Sequence, residues 1–512
     1  MPNHLFDALS FGLRRDPAKT FAVDADGKET SYGEFFAGSL RIARTLVDCG
    51  LEPDDRVAVQ AEKSLNVLQL YLGTVAAGGV LLPISPGCTA VETRYFLADA
   101  SPRFLICAPE KNSELAGTTE YSELQRVWTL KPDGKGTLLA QNTQAGTSFD
   151  PVSRRPDELA ALLYTSGTTG RPKGAMLSHG ALASNYSTMK QLWRFTEADV
   201  LIHFLPINHV HGLFVATNIA LMAGCSLILF PKFDADAIIR TMPHATAMMG
   251  VPTHYIRLLK HGGLSRQTAS GMRLFVSGSA PLLATTHHEW ERRTGHRILE
   301  RYGMTEANMI TSHRYDGRRK PGSVGSPIPG VKVQIRADSG KTVTQPDEIG
   351  SLEVKSPGLF SGYWGLAGQT GEDLGADGWF RTGDLARYDS EGEVVLEGRA
   401  KDLVISGGVN IYPKELENVI DGSPEVSESA VVGVPHPDFG EAVVAFVVGA
   451  GGESRLPEAV SSWLDGRLAR YKHPKRVIFL DNLPRNSMGK VQKSVLRSDY
   501  RDLFGNSQSR PN

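Results

Sequence analysis

The chain has 512 residues, of which 41% are hydrophobic and 22% are charged, as in ordinary soluble globular proteins. This length exceeds what one hydrophobic core usually holds, so at least two domains are expected. The formal net charge of −1 argues against nucleic acid or an anionic membrane as a partner attracted by the global charge of the chain.

The N-terminal segment and the cysteines favour a cytoplasmic protein. Met1–Pro17 lacks a basic segment followed by an apolar run, so no signal peptide is predicted. The apolar stretch Val67–Ile84 is interrupted by polar, glycine and proline residues, and it predicts a buried helix and strand rather than a membrane span. The cysteines are too sparse for a disulfide framework and lack metal-ligand spacing; they are Cys49, Cys88, Cys107 and Cys225.

Apolar runs typical of strands alternate with helical patterns from the N-terminus to about Pro327. This alternation predicts an α/β fold with largely parallel sheets, organised as two layered subdomains. The predicted strands include Arg56–Gln60, Val80–Pro83, Phe104–Cys107, Leu227–Phe230 and Leu274–Val276, and the predicted helices include Tyr32–Cys49 and Val91–Asp99. Between Pro327 and Leu396, short β-rich runs broken by Gly, Pro and Asp predict a smaller β subdomain.

A domain boundary is expected near Gly398–Asp402, which separates an N-terminal domain over residues 1–398 from a C-terminal domain over residues 399–512. The second part predicts a small α+β lobe. Its expected elements are a hairpin at Leu403–Tyr412, a helix at Pro413–Asp421, strands at Ser429–Val434 and Glu441–Val448, and a helix at Leu456–Leu468. A short polar connection between a large and a small lobe suggests hinge motion.

A glycine-rich loop follows the apolar strand that ends near Tyr164. Its sequence, TSGTTGRPKG, combines hydroxyl side chains, glycines that let backbone N–H groups approach a polyphosphate, and a lysine. It is not a Walker A sequence, and by composition alone it would fit a flexible surface loop. The candidate phosphate-binding residues are Thr165, Ser166, Gly167, Thr168, Thr169, Gly170 and Lys173.

Further signatures follow this loop in order. They are RYGMTE at Arg301–Glu306, WFRTGD at Trp379–Asp384, GRAKD at Gly398–Asp402 and PRNSMGK at Pro484–Lys490. Together they resemble the adenylate-forming superfamily of acyl-CoA synthetases, luciferases and peptide-synthetase adenylation domains, over essentially the whole chain. The resemblance implies that ATP activates a carboxylic acid as an acyl-adenylate, whose acyl group then passes to coenzyme A.

The resemblance also implies roles in nucleotide binding. Glu306 would hold Mg²⁺ with help from Thr165, because magnesium bound to a triphosphate needs few protein carboxylates. Thr305 would donate to a phosphate oxygen, and Asp384 would accept from the ribose hydroxyls, with Arg399 beside it. The adenine site would be formed by Ser279, Ala280, Glu300, Arg301, Tyr302, Gly303 and Met304.

The C-terminal domain is expected to serve both half-reactions. Lys490 would neutralise the charge that develops as the carboxylate attacks the α-phosphate, although a solvated lysine in a basic tail is the alternative. Lys401 resembles the hinge position about which the lobe rotates. Gly407 and Gly408 would line the channel for coenzyme A, or simply form a hairpin turn.

The acid site is expected after the phosphate loop. His209, in the segment NHVHG, would lie near the reacting carboxylate, and the pair His209 and His211 alone is a poor zinc site. Two arginines favour a short dicarboxylate, because an unpaired buried guanidinium is costly and needs an anion. These candidate substrate-binding residues are Arg257 and Arg301, with hydroxyl groups from Ser277 or Ser279.

These segments resemble the malonyl-CoA synthetases within the superfamily, which implies malonate as the acid and methylmalonate as a further substrate. Several alternatives stay open. Either arginine could pair with a protein carboxylate such as Glu300 or Glu306, and the acid would then be a short monocarboxylate. The chain could also load a carrier protein instead of free coenzyme A. The sequence leaves the oligomeric state undetermined.

Overall fold

Four β-sheets and the helices packed on them make up the described part of the chain. The computed structural model describes residues 2–115, 124–142, 149–165, 172–450, 456–486 and 489–504. Two large sheets are mainly parallel, a third is small and antiparallel, and the fourth lies in the C-terminal lobe. The predicted α/β class, with a small β subdomain and an α+β lobe, is confirmed.

The largest sheet has nine strands, counted within the described ranges. Its centre is parallel, and antiparallel pairs occur only toward its two ends. In spatial order the strands are Ser326–Pro327, Asn308–Ser312, Leu299–Met304, Leu274–Ser277, Ala247–Gly250, Val200–His203, Ser226–Leu229, Thr20–Asp24 and Glu29–Ser31.

The second sheet has six strands within the same ranges and is parallel except for its last pair. The antiparallel pair flanks the glycine-rich loop, whose residues 166–171 lie outside the described residues. In spatial order the strands are Arg126–Thr129, Phe104–Cys107, Arg56–Gln60, Val80–Pro83, Leu159–Thr165 and Lys173–Ser178.

Helices cover both large sheets and begin where the sequence supplies caps. Ser31 with Glu34 and Thr89 with Glu92 each form a capping box that satisfies free backbone N–H groups. The helices of the N-terminal part are His4–Leu9, Phe11–Arg15, Tyr32–Asp48, Leu65–Ala76, Ala90–Ala100, Pro109–Leu115, Thr137–Asn142, His179–Leu192, Thr217–Ala223, Ala235–Thr241, Pro252–Leu259, Ala284–Thr294 and Ala367–Asp373, with a π-helical turn at His211–Ala216 and a 3₁₀ turn at Met242–His244.

The apolar stretch at Val67–Ile84 forms a buried helix, Leu65–Ala76, followed by the buried strand Val80–Pro83, as predicted. A search of the described residues finds no helix that is both long and apolar enough to cross a lipid bilayer.

The β subdomain is an antiparallel sheet whose last strand ends at Arg399. Its strands, in spatial order, are Lys332–Arg336, Gly350–Lys355, Phe380–Tyr388 and Val394–Arg399. The turn within the third strand places Gly383 at a φ of 71°, which glycine adopts without strain. This turn directs Asp384 into the protein, where it is buried.

The C-terminal lobe has a sheet of five strands with hydrophobic clusters on its two faces, counted within the described ranges. Its strands are Val404–Ser406, Val409–Ile411, Val426–His436, Gly440–Gly449 and Arg476–Phe479. Its helices are Pro413–Ile420, Leu456–Leu464 and Lys493–Asp499, with 3₁₀ turns at Ala400–Asp402 and Arg470–Lys472. The clusters of the large domain and of the lobe share no residues.

Candidate active site

The candidate site lies where parallel strands of the two large sheets end. In α/β proteins, ligands bind at the carboxyl edge of such strands, where polar residues can follow buried apolar ones. Thr165, Ser277 and Met304 are the last residues of their strands, and Val251 follows another. The fold therefore brings together segments that are up to 139 positions apart, from Thr165 to Met304.

Arg301 is a buried cation at this edge. Its side chain is 4% exposed, and its Nε and Nη2 atoms have no hydrogen-bond partner. Burial lowers the pKa of Arg301 to about 10, and the groups that act in the opposite sense are the hydroxyls of Tyr186 and Tyr255. In the part of the chain that the structure describes, no carboxylate forms an ion pair with this guanidinium. Arg301 is thus a desolvated positive charge with open donors.

The alternating geometry of a β-strand explains why Arg301 does not pair with its neighbour. Consecutive side chains point to opposite faces of the sheet, and Glu300 approaches His287, with 3.5 Å between carboxylate Oε1 and imidazole Nδ1. Glu306 instead accepts from Tyr363 and Thr165. The alternative in which Glu300 or Glu306 neutralises Arg301 is therefore wrong.

Gly278 leaves the space that the Arg301 head occupies. A Cβ atom added at Gly278 would lie 2.6 Å from the guanidinium carbon and from Nε of Arg301, which is closer than van der Waals contact. The next residue, Ser279, adopts a positive φ of 71°. Sequence reasoning identified this segment as an adenine wall and missed the role of Gly278; the glycine between two serines was the available signal.

Unpartnered polar atoms cluster around this arginine. His211 is 2% exposed and lies 3.3 Å from Ser279, measured from imidazole Nδ1 to hydroxyl Oγ. Burial, and then the charge of Arg301, lower the pKa of His211 well below its usual value. Among the buried atoms without a partner are Nε2 of His211 and Oγ of Ser277, together with Nε2 of His209, on which the charge of Lys490 acts. Buried polar atoms usually have partners, so these atoms are available to hydrogen-bond a polar ligand.

Arg257 does not share this environment. It lies on the helix Pro252–Leu259, is exposed, and stacks over Phe233 with 4.4 Å from its guanidinium carbon to the ring centroid. The expectation of two buried arginines is therefore wrong for Arg257 and holds for Arg301. The helix places Arg257 one turn after Thr253, on the same face, and outside the group of buried residues around Arg301.

Asp384, Arg399 and Tyr302 form a buried hydrogen-bonded group on the nucleotide side. Asp384 forms an ion pair with Arg399, with 2.9 Å between carboxylate Oδ1 and guanidinium Nε, and accepts a hydrogen bond from the hydroxyl of Tyr302. Burial raises the pKa of Asp384, and the charge of Arg399 opposes that rise. The three residues come from two different sheets, and their arrangement holds a carboxylate at the cleft.

Glu306 lies close to both ends of the glycine-rich loop. Its Oε1 atom accepts from Thr165 at 3.4 Å and from the hydroxyl of Tyr363 at 3.2 Å. The ammonium of Lys173 lies 4.9 Å from the centroid of the Tyr363 ring. Sequence reasoning missed Tyr363, although its position in the GYW segment at Gly362–Trp364 was a usable signal.

The other residues predicted for ligand binding are divided by exposure. Ser279, Ala280, Gly303, Met304 and Thr305 are partly exposed along the cleft. Lys401, Gly407 and Gly408 are exposed on the lobe, and both glycines have positive φ values. The loop residues Ser166, Gly167, Thr168, Thr169 and Gly170 lie outside the described residues.

Lys490 faces this cleft from the C-terminal lobe. The neighbouring Gly489 packs on Thr253, since a Cβ atom at Gly489 would lie 3.1 Å from the Thr253 hydroxyl. Lys490 is exposed. Partial desolvation at the cleft, and then the charge of Arg399, lower its pKa. Burial and the charge of Lys490 lower the pKa of His209 to about 4. The lobe is thus closed over the site.

Two family matches cover most of the chain. The AMP-binding enzyme family matches residues 11–364, and its C-terminal domain matches residues 415–490. The chain belongs to the AMP-binding enzyme family. Its relatives include a malonate–CoA ligase of Arabidopsis thaliana, which is 32% identical over 97% of this chain and 90% of that protein. An indoleacetate–CoA ligase of Aromatoleum aromaticum is 34% identical over 94% and 95% of the two chains.

Solved structures agree with this assignment. ATP-bound MatB from Rhodopseudomonas palustris is 51% identical to the chain, with a TM-score of 0.95 over 98% of this chain and all of that one. The apo form of the same protein, over the same coverage, gives a TM-score of 0.84. The closed lobe described above therefore matches the ATP-bound arrangement better. The chain is an AMP-forming acid–CoA ligase, with ATP, a carboxylic acid and coenzyme A as its small-molecule substrates.

Substituting Gly278 tests whether the Arg301 position controls acid use. In Gly278→Ala, the added methyl group should displace the guanidinium, and we expect the KM for the acid to rise about tenfold to a hundredfold. The KM for ATP should change by less than about threefold, as measured by AMP release. Gly262→Ala, at a site with open space, is the control. Equal losses for acid and ATP would contradict a specific effect on Arg301.

Proposed function

We propose that this enzyme ligates malonate to coenzyme A through a malonyl-adenylate, releasing AMP and pyrophosphate. The observation that carries the proposal is the buried, unpaired guanidinium of Arg301 beside unpartnered atoms of His211 and Ser277. A ligand with a second carboxylate would neutralise that cation and accept from its donors, which a monocarboxylate cannot do.

The geometry suggests which end of the acid reacts. One carboxylate would lie against Arg301 and accept from Nε and Nη2, with Ser277 and His211 nearby. The other carboxylate would then lie toward His209 and Lys490, where it would attack the α-phosphate of ATP. A short chain between the two carboxylates fits a site in which Lys490 acts on His209 and Arg301 acts on His211, two positions further along the chain. Methylmalonate, with one added methyl group, is a plausible second substrate.

Arg257 has a different role in this proposal. Its exposed position over Phe233 would add positive charge at the entrance and contribute to attraction of a dianion. Solvent screening makes this contribution smaller than that of Arg301.

The residues present suit a magnesium ion bound to the triphosphate. Glu306 is a buried carboxylate at the loop ends, and no group of three or more possible metal ligands occurs among the described residues. Magnesium that reaches a site on ATP needs only one or two carboxylates, so Glu306, with Thr165 beside it, would suffice. The ion would neutralise phosphate charge during the attack, while Thr305 would donate to a phosphate oxygen.

In the second half-reaction the lobe would rotate about Lys401. Lys490 would leave the cleft, and Gly407 and Gly408 would approach the adenylate. Their lack of side chains would let the thiol of coenzyme A reach the acyl carbon, with AMP as the leaving group. Residues 1–398 and 399–512 would act as the two moving bodies.

A panel of acids tests the proposed substrate. With ATP, magnesium and coenzyme A, we expect malonate to give the highest kcat/KM, methylmalonate to follow, and acetate, propionate and benzoate to be at least about a hundredfold poorer. AMP release and thioester formation should be followed together. Higher kcat/KM for a monocarboxylate would reject malonate, and AMP release without a CoA thioester would favour a carrier protein as the acyl acceptor.

Replacing each arginine by methionine separates their roles. Arg301→Met should lower kcat/KM for malonate by at least about a hundredfold, because a buried charged hydrogen bond is lost. It should also melt at or above the wild-type temperature without ligands, since a buried unpaired charge is removed. Arg257→Met should lower kcat/KM by no more than about tenfold. A destabilised Arg301→Met that retains malonate activity would show that Arg301 has a structural role.

Lys490 is expected to act only in the first half-reaction. Lys490→Ala should lose malonyl-adenylate formation, measured by pyrophosphate exchange, by about a hundredfold or more. It should still convert a preformed adenylate and coenzyme A into the thioester at close to the wild-type rate. Lys341→Ala, an exposed lysine of the β subdomain, is the matched control. Unchanged adenylation in Lys490→Ala would remove Lys490 from the mechanism.

A further inference from the structure

Lys63 is a second buried basic side chain, and burial lowers the pKa of its amino group well below the usual value. It follows the strand Arg56–Gln60 of the six-stranded sheet and is 8% exposed. Within the described ranges no carboxylate pairs with it. Its amino group instead donates to His203, at 3.1 Å to imidazole Nδ1 and 2.9 Å to the carbonyl oxygen. His203 ends a strand of the other large sheet, so this contact joins the two sheets.

The hydrogen bonds at its two ring nitrogens fix the tautomer of His203. Burial, and then the charge of Lys63, lower the pKa of His203 well below its usual value, so the ring is neutral. Because the single proton of the Thr217 hydroxyl goes to the Gly212 carbonyl, Nε2 of His203 carries the ring proton and Nδ1 accepts from Lys63. Nε2 is 3.3 Å from the hydroxyl of Thr217, and it donates there. The Thr217 hydroxyl in turn donates to the carbonyl oxygen of Gly212 at 3.0 Å.

This chain of hydrogen bonds ends in the turn that presents His211. The π-helical turn runs from His211 to Ala216, and such turns recur at functional sites. Gly212 is pressed against the backbone of Pro206, since a Cβ atom at Gly212 would lie 2.1 Å from the Pro206 carbonyl oxygen.

We propose that Lys63 is a positioning residue for acid binding, which acts through His203 and Thr217 on the turn that holds His211. The proposal rests on the proposed function, in that His211 faces the acid. Lys63 occupies Nδ1 of His203 and so holds the ring proton on Nε2. Breaking this contact would let the ring change tautomer, free the Gly212 carbonyl and loosen His211. Lys63 itself does not touch the reacting atoms.

The test uses the full-length enzyme and the acid that the wild-type protein uses best, whichever acid that is. Failure of malonate would then appear in the wild-type panel, whereas failure of the present proposal would appear only in the variants. Lys63→Met removes the donor, Thr217→Val breaks the middle of the chain, and the double variant combines them. Thr217→Ser keeps the hydroxyl. Thr74→Val removes a comparable buried threonine bond, to the Leu70 carbonyl at 2.8 Å, as the control.

We expect Lys63→Met and Thr217→Val each to raise the KM for the acid about tenfold, with the KM for ATP changed by less than about twofold. The double variant should be no worse than the poorer single variant, since both break one chain. Thr217→Ser and Thr74→Val should keep the KM for the acid near the wild-type value.

Three outcomes would overturn the proposal. Additive losses in the double variant would show that Lys63 and Thr217 act separately. A lower melting temperature without any change in the KM for the acid would show a purely structural role. An unchanged KM in Thr217→Val would exclude the chain even if Lys63→Met did not fold, because that variant tests the same path.

Discussion

The acid site depends on one constraint: a guanidinium buried without a carboxylate of the protein to neutralise it. Arg301 is held in that state by the period of its own strand, which turns Glu300 to the opposite face, and by Gly278, whose missing side chain gives the head its space. An ion transferred from water without a partner costs several kcal/mol. The fold tolerates this cost where a ligand supplies a negative charge. The buried guanidinium, which destabilises the protein alone, then stabilises the complex.

The same reasoning applies to the closed lobe. Arg301 belongs to the nine-stranded sheet, Arg399 to the β subdomain and Lys490 to the C-terminal lobe. Their positive charges act on one another, and Arg399 and Arg301 both lower the pKa of Lys490. The carboxylates of Asp384 and Glu306 act on Lys490 in the opposite sense. Closure thus brings three cations together beside two protein carboxylates, and anions bound between the cations favour closure further. ATP and the acid supply those anions, so they bind the closed form in preference and shift the population toward it. Release of pyrophosphate removes negative charge and weakens that preference, which favours opening for the thioester step.

The sequence predicted the strands and helices well because their signals are local. Apolar runs such as Phe104–Cys107 and the capped segment after Ser31 have the predicted structures. The site was harder to predict. Motif resemblance identified Arg301, but the exposure of Arg257 depends on which face of its helix meets the core, which the short segment did not reveal. The contact of Lys63 with His203 joins residues 140 positions apart in two sheets, and no local pattern encodes such a pairing.

Two buried basic side chains, Lys63 and Arg301, have different hydrogen-bond partners, and the difference indicates their roles. Lys63 donates to neutral acceptors of the protein itself, an imidazole nitrogen and a carbonyl oxygen, so its hydrogen-bonding capacity is largely used within the chain. Arg301 is also buried, yet two of its donor atoms, Nε and Nη2, have no partner. Buried polar groups without partners are rare in folded proteins. A basic group satisfied internally can position its neighbours, whereas a cation left unsatisfied needs a partner from outside. The charge and planar donors of Arg301 match a carboxylate, which is why the acid is expected to carry a second one.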